Sequence, residues 1–259
     1  MKDVSTQISA LLITYNEIEH IDAVIDNINF ADEIIVIDSF STDGTYERLK
    51  SMEHVKVLQR EFINFADQRN FAIKQANCKW VLFIDADERI SPNLKTEILN
   101  TTKFPHNFVA FKFKRNFVFE DRIMKFSGLQ SDAVFRLFIK GTAKYKEDRI
   151  VHELLEVQGN SKTLENTMLH YSFSDYNSYK AKAEHYAKLK ALELFEKGKK
   201  PNAFHFYLKP LYKFVINYFF RLGFLDGKAG YTICTLNAYG VYYRYRELKR
   251  LVSSRSPEL

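Results

Sequence analysis

Trp80-Val81-Leu82-Phe83-Ile84-Asp85-Ala86-Asp87-Glu88 is an apolar run of strand length that ends abruptly in carboxylates. Such a run fits a strand buried on both faces, as in a parallel sheet covered by helices. Its carboxylates then fall at the carboxyl end of the strand, where open α/β sheets place their ligands.

Working towards the N-terminus, two more runs have this character. Ile8 to Thr14 is followed by Tyr15-Asn16-Glu17, and Glu33 to Asp38 is followed by Ser39-Phe40-Ser41-Thr42-Asp43-Gly44-Thr45. Val55 to Leu58 reads as a further short strand. Between the strands lie helical stretches: Glu17 to Asn29 with Ile18, Ile21, Ile25 and Ile28 at helical spacing, Thr45 to Met52, and Phe65 to Ala76. Ser91-Pro92 opens another helix, Ser as its cap and Pro in its first turn. Strands alternating with amphipathic helices predict an α/β fold, a Rossmann-like, mostly parallel sheet with helices on both faces. After residue 106 the pattern changes. Phe108 to Phe119 alternates aromatic with basic residues, Ala133 to Ile139 is another strand, and Tyr176 to Lys197 is a charged helix.

The chain is long enough at 259 residues, 46% of them apolar, to bury a core unaided. Its formal charge of +6 is unevenly spread: residues 199–250 carry ten Lys or Arg against two acids, +8, and the remainder is −2. A nucleic-acid reader would carry that charge on the folded module itself, so nucleic acid is not expected as a partner. The segment 204–245 also holds fourteen of the 39 aromatic residues, which predicts a basic, aromatic-rich helical C-terminal region. No run is long and apolar enough to span a bilayer, but this composition fits a helix lying on an anionic leaflet or packing on other protein. Cys78 and Cys234 match no metal-binding spacing and read as reduced thiols. The N-terminus leads straight into the first strand without a signal-peptide stretch.

Three strand ends thus gather polar groups. Such a cluster suits a reaction whose leaving group is a nucleoside diphosphate, because a divalent cation bridging the phosphate oxygens absorbs the charge that develops. Carboxylates at i and i+2 on a strand end suit Mg²⁺ or Mn²⁺, with a small residue such as Ala86 between them. Each piece alone has a plainer reading. Asp38 could terminate a strand, Asp43-Gly44 is ordinary turn chemistry, and residues 85–88 could be a solvated loop.

Taken in order, TYNE, DSFSTDGT, FADQRNFAIKQA and WVLFIDADE resemble glycosyltransferase family 2, the inverting GT-A transferases. RLF (Arg136 to Phe138), VHE (Val151 to Glu153) and LHYSF (Leu169 to Phe173) are similar to its lipopolysaccharide-core β-glucosyltransferase branch. The resemblance covers about residues 8–175 and implies a catalytic nucleotide-sugar domain over 1–175, with 176–259 as a helical region contacting membrane or subunit. It implies that Tyr15 and Asn16 lie beside the donor base, that Glu17 approaches the ribose and that Asp38 takes the base edge. Arg69 and Asn70 are expected near the nucleotide, Asp85 on ribose or metal, and Asp87 on the metal. Phe40 stands where relatives usually carry Gly.

An inverting transferase also needs a carboxylate base for the acceptor hydroxyl. The similar position is Glu153, with Asp148 and Asp132 as rivals; His152 and His170 read either as metal ligands or as structural residues. The resemblance implies Mg²⁺ or Mn²⁺ as cofactor and a UDP-sugar, of glucose or a similar hexose, as donor. The acceptor is expected to be a glycolipid or lipid-linked saccharide, at the cytoplasmic face of the inner membrane, and a homo-oligomer stays open. A polyprenyl phosphate acceptor, or a non-catalytic binding protein on the same fold, are the competing readings. A nucleotidyltransferase would carry a Gly-rich basic loop after the first strand, which Thr14-Tyr15-Asn16-Glu17 is not.

Overall fold

The computed structural model describes residues 6–130, 132–146, 154–173 and 175–254. Residues 6–115, 132–146 and 154–170 belong to one compact unit, and residues 116–130, 171–173 and 175–254 to the other.

The first unit opens with β1 (Ile8–Thr14), α1 (Ile18–Ile28), β2 (Glu33–Asp38), α2 (Thr45–Lys50), β3 (Val55–Gln59), α3 (Phe65–Gln75) and β4 (Trp80–Phe83). The short β5 (Glu88–Ile90), α4 (Pro92–Lys103), β6 (Phe108–Phe119), the two-residue β7 (Arg122–Ile123), β8 (Ala133–Ile139), β9 (Ala143–Tyr145), β10 (Leu155–Val157) and β11 (Asn160–Phe173) follow in the chain. The main sheet has the order β3-β2-β1-β4-β8-β6-β11-β5. Its first four strands are parallel, with Ser9 opposite Glu33 and Ile8 opposite Trp80. β8 then runs antiparallel to β4, Leu82 facing Leu137.

The side-chain period of two divides the parallel strands between two cores. Leu12, Val36 and Leu82 pack with Ile21 and Ile25 of α1 and Leu94 and Ile98 of α4. Leu11, Ile35, Val81 and Phe83 pack on the other face with Ala66, Ala72 and Ile73 of α3. Helices therefore cover both faces, which is why these strands read as unbroken apolar runs. Local signals fix the helix starts. The side chain of Asn64 caps α3 through the Asp67 N–H, and Ser91 caps α4 through the Leu94 N–H with Pro92 in the first turn.

The second unit is built on α5 (Tyr176–Glu196), α6 (Ala203–Val215) and α7 (Gly227–Ser254), with a π-helical turn over Ile216–Phe220 and a 3₁₀ turn over Gly223–Asp226. Phe119 and Met124 join Tyr179, Ile233 and Leu236 in its core. Asp226 accepts hydrogen bonds from the Lys125 and Phe126 N–H groups and the Ser127 hydroxyl, so the 3₁₀ turn holds the 125–127 segment. No residue of α6 is buried, whereas Tyr207, Tyr212 and Phe220 are each more than 60% exposed at 74%, 67% and 75%. Among the described residues no helix is long and apolar enough to cross a membrane. Cys78 and Cys234 are both buried free thiols.

Candidate active site

β2, β1 and β4 are consecutive neighbours in the sheet, so their carboxyl ends bring Asp38, Thr14 and the 84–87 segment side by side. The loops after β1 and β2 are stitched together. Ser41 accepts the Asn16 N–H at 2.9 Å, Asn16 Oδ1 accepts the Thr42 N–H at 2.8 Å, and Thr45 accepts the Glu17 N–H at 2.9 Å. Asp43 accepts the Ile18 N–H, satisfying one of the free donors at the start of α1. Burial would raise the Asp43 carboxyl, but hydrogen bonds from Thr45 and Ile18 together outweigh it and hold the group below its ordinary range.

Asp38 is fully buried, and its carboxylate accepts from Thr14, the Ser41 N–H and Gln59. It organises the loop it precedes. Above it, Tyr15 (60% exposed) and Phe40 (53% exposed) present aromatic surface. Asn16 and Phe40 both adopt left-handed backbone, φ 56° and 59°. φ of that sign costs a residue with a Cβ and not Gly, so both positions hold strained backbone.

The acids after β4 have different surroundings. Asp85 pairs with Arg69 at 2.8 Å and also with Arg136 of β8. Glu88, fully buried, receives the same Arg136 at 2.7 Å and Arg115 at 3.4 Å. Arg115 in turn donates to Asp132 at 2.6 Å. Arginine and carboxylate thus alternate from Asp132 to Arg69. Burial alone would raise the Asp85 carboxyl, but Arg136 and then Arg69 prevail and hold it well below the ordinary carboxylate range. The Arg69 guanidinium also lies over the Phe83 and Tyr145 rings, 4.8 and 5.3 Å from their centroids. Asn70 exchanges two hydrogen bonds with the Tyr145 backbone, fixing β9 against α3.

Asp87 is placed otherwise. Its Oδ2 lies 3.1 Å from Nε2 of His170, near the end of the first unit's share of β11. β11 reaches it by pairing with β5, His170 opposite Glu88. This aspartate–imidazole pair is the arrangement in the site that can take a hard divalent cation. In an octahedron with bonds of ~2.1 Å, adjacent donor atoms are about 3 Å apart, the spacing seen here. Among the described residues no group of three His, Cys, Asp or Glu forms a closed cage.

Of the residues singled out from the sequence, the structure brings together Tyr15, Asn16, Glu17 and Asp38 in one loop cluster, and Arg69 and Asp85 in one ion pair. Glu153, Asp148 and His152 lie outside the described residues. Arg136 and Arg115 carry no role in the sequence reading. The signal for Arg136 was a lone guanidinium inside the apolar strand Ala133–Ile139.

The sequence model of glycosyl transferase family 2 matches residues 9–156, more than half of the chain. The chain belongs to glycosyl transferase family 2. An uncharacterized glycosyltransferase of Rickettsia bellii is 27% identical over 98% of this chain and 90% of its own length. The lipopolysaccharide core biosynthesis glycosyltransferase LpsC of Rhizobium meliloti is 25% identical over 92% of this chain and 93% of its own. Among solved structures, the mannosyltransferase PcManGT from Pyrobaculum calidifontis, in complex with GDP-Man and Mn²⁺, is alike in fold with a TM-score of 0.52. The likeness covers 96% of this chain and 88% of that one at 14% identity. This family 2 glycosyltransferase has the GT-A arrangement, with its parallel half carrying the β1, β2 and β4 strand ends.

Proposed function

We propose that this glycosyltransferase moves a hexose, with inversion, from a UDP-sugar to a glycolipid acceptor of the lipopolysaccharide-core kind, using Mg²⁺ or Mn²⁺. The observation that carries the reading is the division of labour after β4. Asp85 is neutralised by Arg136 and Arg69, while Asp87 lies within hydrogen-bond distance of the His170 imidazole, two donors that a divalent cation could take up together.

Asp87 and His170 would hold the cation. Bound there, it would neutralise the leaving diphosphate. Asp85, fixed by its two arginines, is oriented towards the ribose or the metal. Tyr15 stacks on the base, and Asn16 and Glu17 line the nucleoside end. Asp38 acts through the loop it holds, and Asn70 through Tyr145. Glu153 takes the acceptor proton. Asp132, the rival within the described residues, already accepts from Arg115. The acceptor class is supported by the likeness to LpsC along nearly the whole chain and by the exposed aromatic surface of α6, which suits peripheral contact with a bilayer.

A thermal-shift panel of UDP- and GDP-sugars, each with and without Mn²⁺, tests the reading. Stabilisation requiring both a UDP-sugar and the metal supports it. Metal-independent stabilisation, or none from any nucleotide sugar, overturns it.

A further inference from the structure

The helical unit contains a cavity of about 310 Å³, lined by Tyr179, Lys182, Tyr186, Lys213, Asn237 and Arg244. Its three cationic side chains come from three different helices, Lys182 from α5, Lys213 from α6 and Arg244 from α7. Lys213 and Arg244 form no ion pair with a carboxylate among the described residues, and Arg244 Nε is buried without a hydrogen-bond partner there. The neighbouring acids are engaged elsewhere. Glu184 takes the Tyr239 hydroxyl, Glu193 pairs with Lys190 and Lys197, and Glu247, the one acid of α7, pairs with Arg246 and Arg250. Burial, then the charges of Arg221 and Arg244, push the Lys213 ammonium below its ordinary range. Like charges gathered in a partly desolvated site are unfavourable until an anion joins them.

The rest of the lining suits a small polar ligand. Tyr179 donates to Asn237 Oδ1, which leaves the Asn237 amide nitrogen as a donor on that wall. Tyr186, 47% exposed, adds an aromatic ring to the lining, and the face of such a ring is what a sugar packs against. Room comes from Gly240, which also lines the cavity; a Cβ there would meet only the Ala183 side chain at 3.6 Å and the Ala183 carbonyl at 3.9 Å. The volume falls at the small end of ordinary ligand sites, roughly 300–1,000 Å³. We propose that this cavity binds a phosphate ester, with Lys213 and Arg244 on the phosphate and the Tyr186 wall against the group that carries it. A phosphorylated saccharide and a phospholipid headgroup share this chemistry.

The test uses the full chain and two probes, hexose 6-phosphate by calorimetric titration and vesicles with or without phosphatidic acid by co-sedimentation. Arg244→Ala and Lys213→Met should each weaken binding at least tenfold, while Lys56→Ala, on the exposed side of β3, should leave it unchanged. Gly240→Leu keeps every charge but fills the cavity, and it should abolish binding while circular dichroism shows the helices intact. Loss confined to the soluble probe assigns the site to a phosphorylated saccharide; loss confined to phosphatidic acid vesicles assigns it to a headgroup. Absence of binding to both probes overturns the proposal. So does binding that survives Gly240→Leu, or that falls equally in all three charge variants.

Discussion

Arg136 and Asp85, 51 residues apart in sequence, form an ion pair at the end of β4, and the same guanidinium also reaches the fully buried Glu88. One arginine from an antiparallel strand therefore balances two acids of the parallel half. Removing one partner of a buried pair leaves the other charged and desolvated, which costs about 3–5 kcal/mol. Arg136→Met should lower the urea midpoint by an amount equivalent to that loss. The pH dependence follows in sign. A carboxyl held low in the folded state contributes stability above its unfolded value of about 4, and that contribution is lost as pH falls below it. The acid limb of the stability curve should therefore flatten in Arg136→Met; an unaltered limb would show that Arg136 does not set the ionisation of Asp85.

Asp87→Ala should abolish transfer and Mn²⁺-dependent donor binding with little change in Tm, because the side chain is partly exposed at a strand end. His170→Ala should weaken the Mn²⁺ dependence of UDP binding by about 10-fold or more, on the scale of a lost metal-site interaction. If His170→Ala shifts Tm but leaves the Mn²⁺ titration untouched, the imidazole serves the fold and not a cation.

Phe40→Gly separates backbone from side chain. The left-handed φ of 59° suits Gly, so the relief of roughly 1–2 kcal/mol of backbone strain should offset the greater entropy of an unfolded Gly. Tm should stay within a few degrees, while KM for the donor rises because exposed aromatic surface in the loop after β2 is lost. An unchanged KM would remove Phe40 from the donor site.

The exposed aromatic residues of α6 and of the π-helical turn after it can be tested on vesicles. Binding should need acidic lipid and fall with salt, each nearby basic residue contributing about 1 kcal/mol, and Tyr212→Ser with Phe220→Ser should weaken it without altering helix content. Equal binding to neutral and acidic vesicles would rule out the electrostatic part of this reading.

The base remains a matter for kinetics. Glu153→Gln should lower kcat by about 10²–10⁴-fold with donor affinity nearly unchanged. A comparable loss in Asp132→Asn or Asp148→Asn, with Glu153→Gln active, transfers the role. Indifference to all three points to an acceptor already ionised, such as a polyprenyl phosphate.

The parallel half was legible because its physics is local. Strands buried on both faces must be apolar throughout, and Ser91-Pro92 marks a helix start by chemistry alone. The carboxylates at the ends of β2 and β4 were equally visible. Their environments were not, since the difference between a buried Asp38, a neutralised Asp85 and an Asp87 beside an imidazole is made by residues from β3, β8 and β11. β11 itself escaped notice. Its residues 160–166, Asn-Ser-Lys-Thr-Leu-Glu-Asn, are mostly polar and carry no strong alternation, and only pairing in the sheet makes them a strand.

The position of β8 between β4 and β6 has a consequence for how the protein is made. A ribosome delivers the chain N-terminus first, and domains begin folding as they emerge. All four parallel strands are available once residue 83 has been added, yet β4 then has β1 on one flank and an open edge on the other. Asp85 and Glu88 wait for Arg136 through the first half of translation, and Asp87 waits longer still for His170. A chain that stops short of β8 therefore keeps Arg69 for Asp85 and Arg115 for Glu88 but lacks Arg136, the guanidinium these two acids share, and His170 beside Asp87.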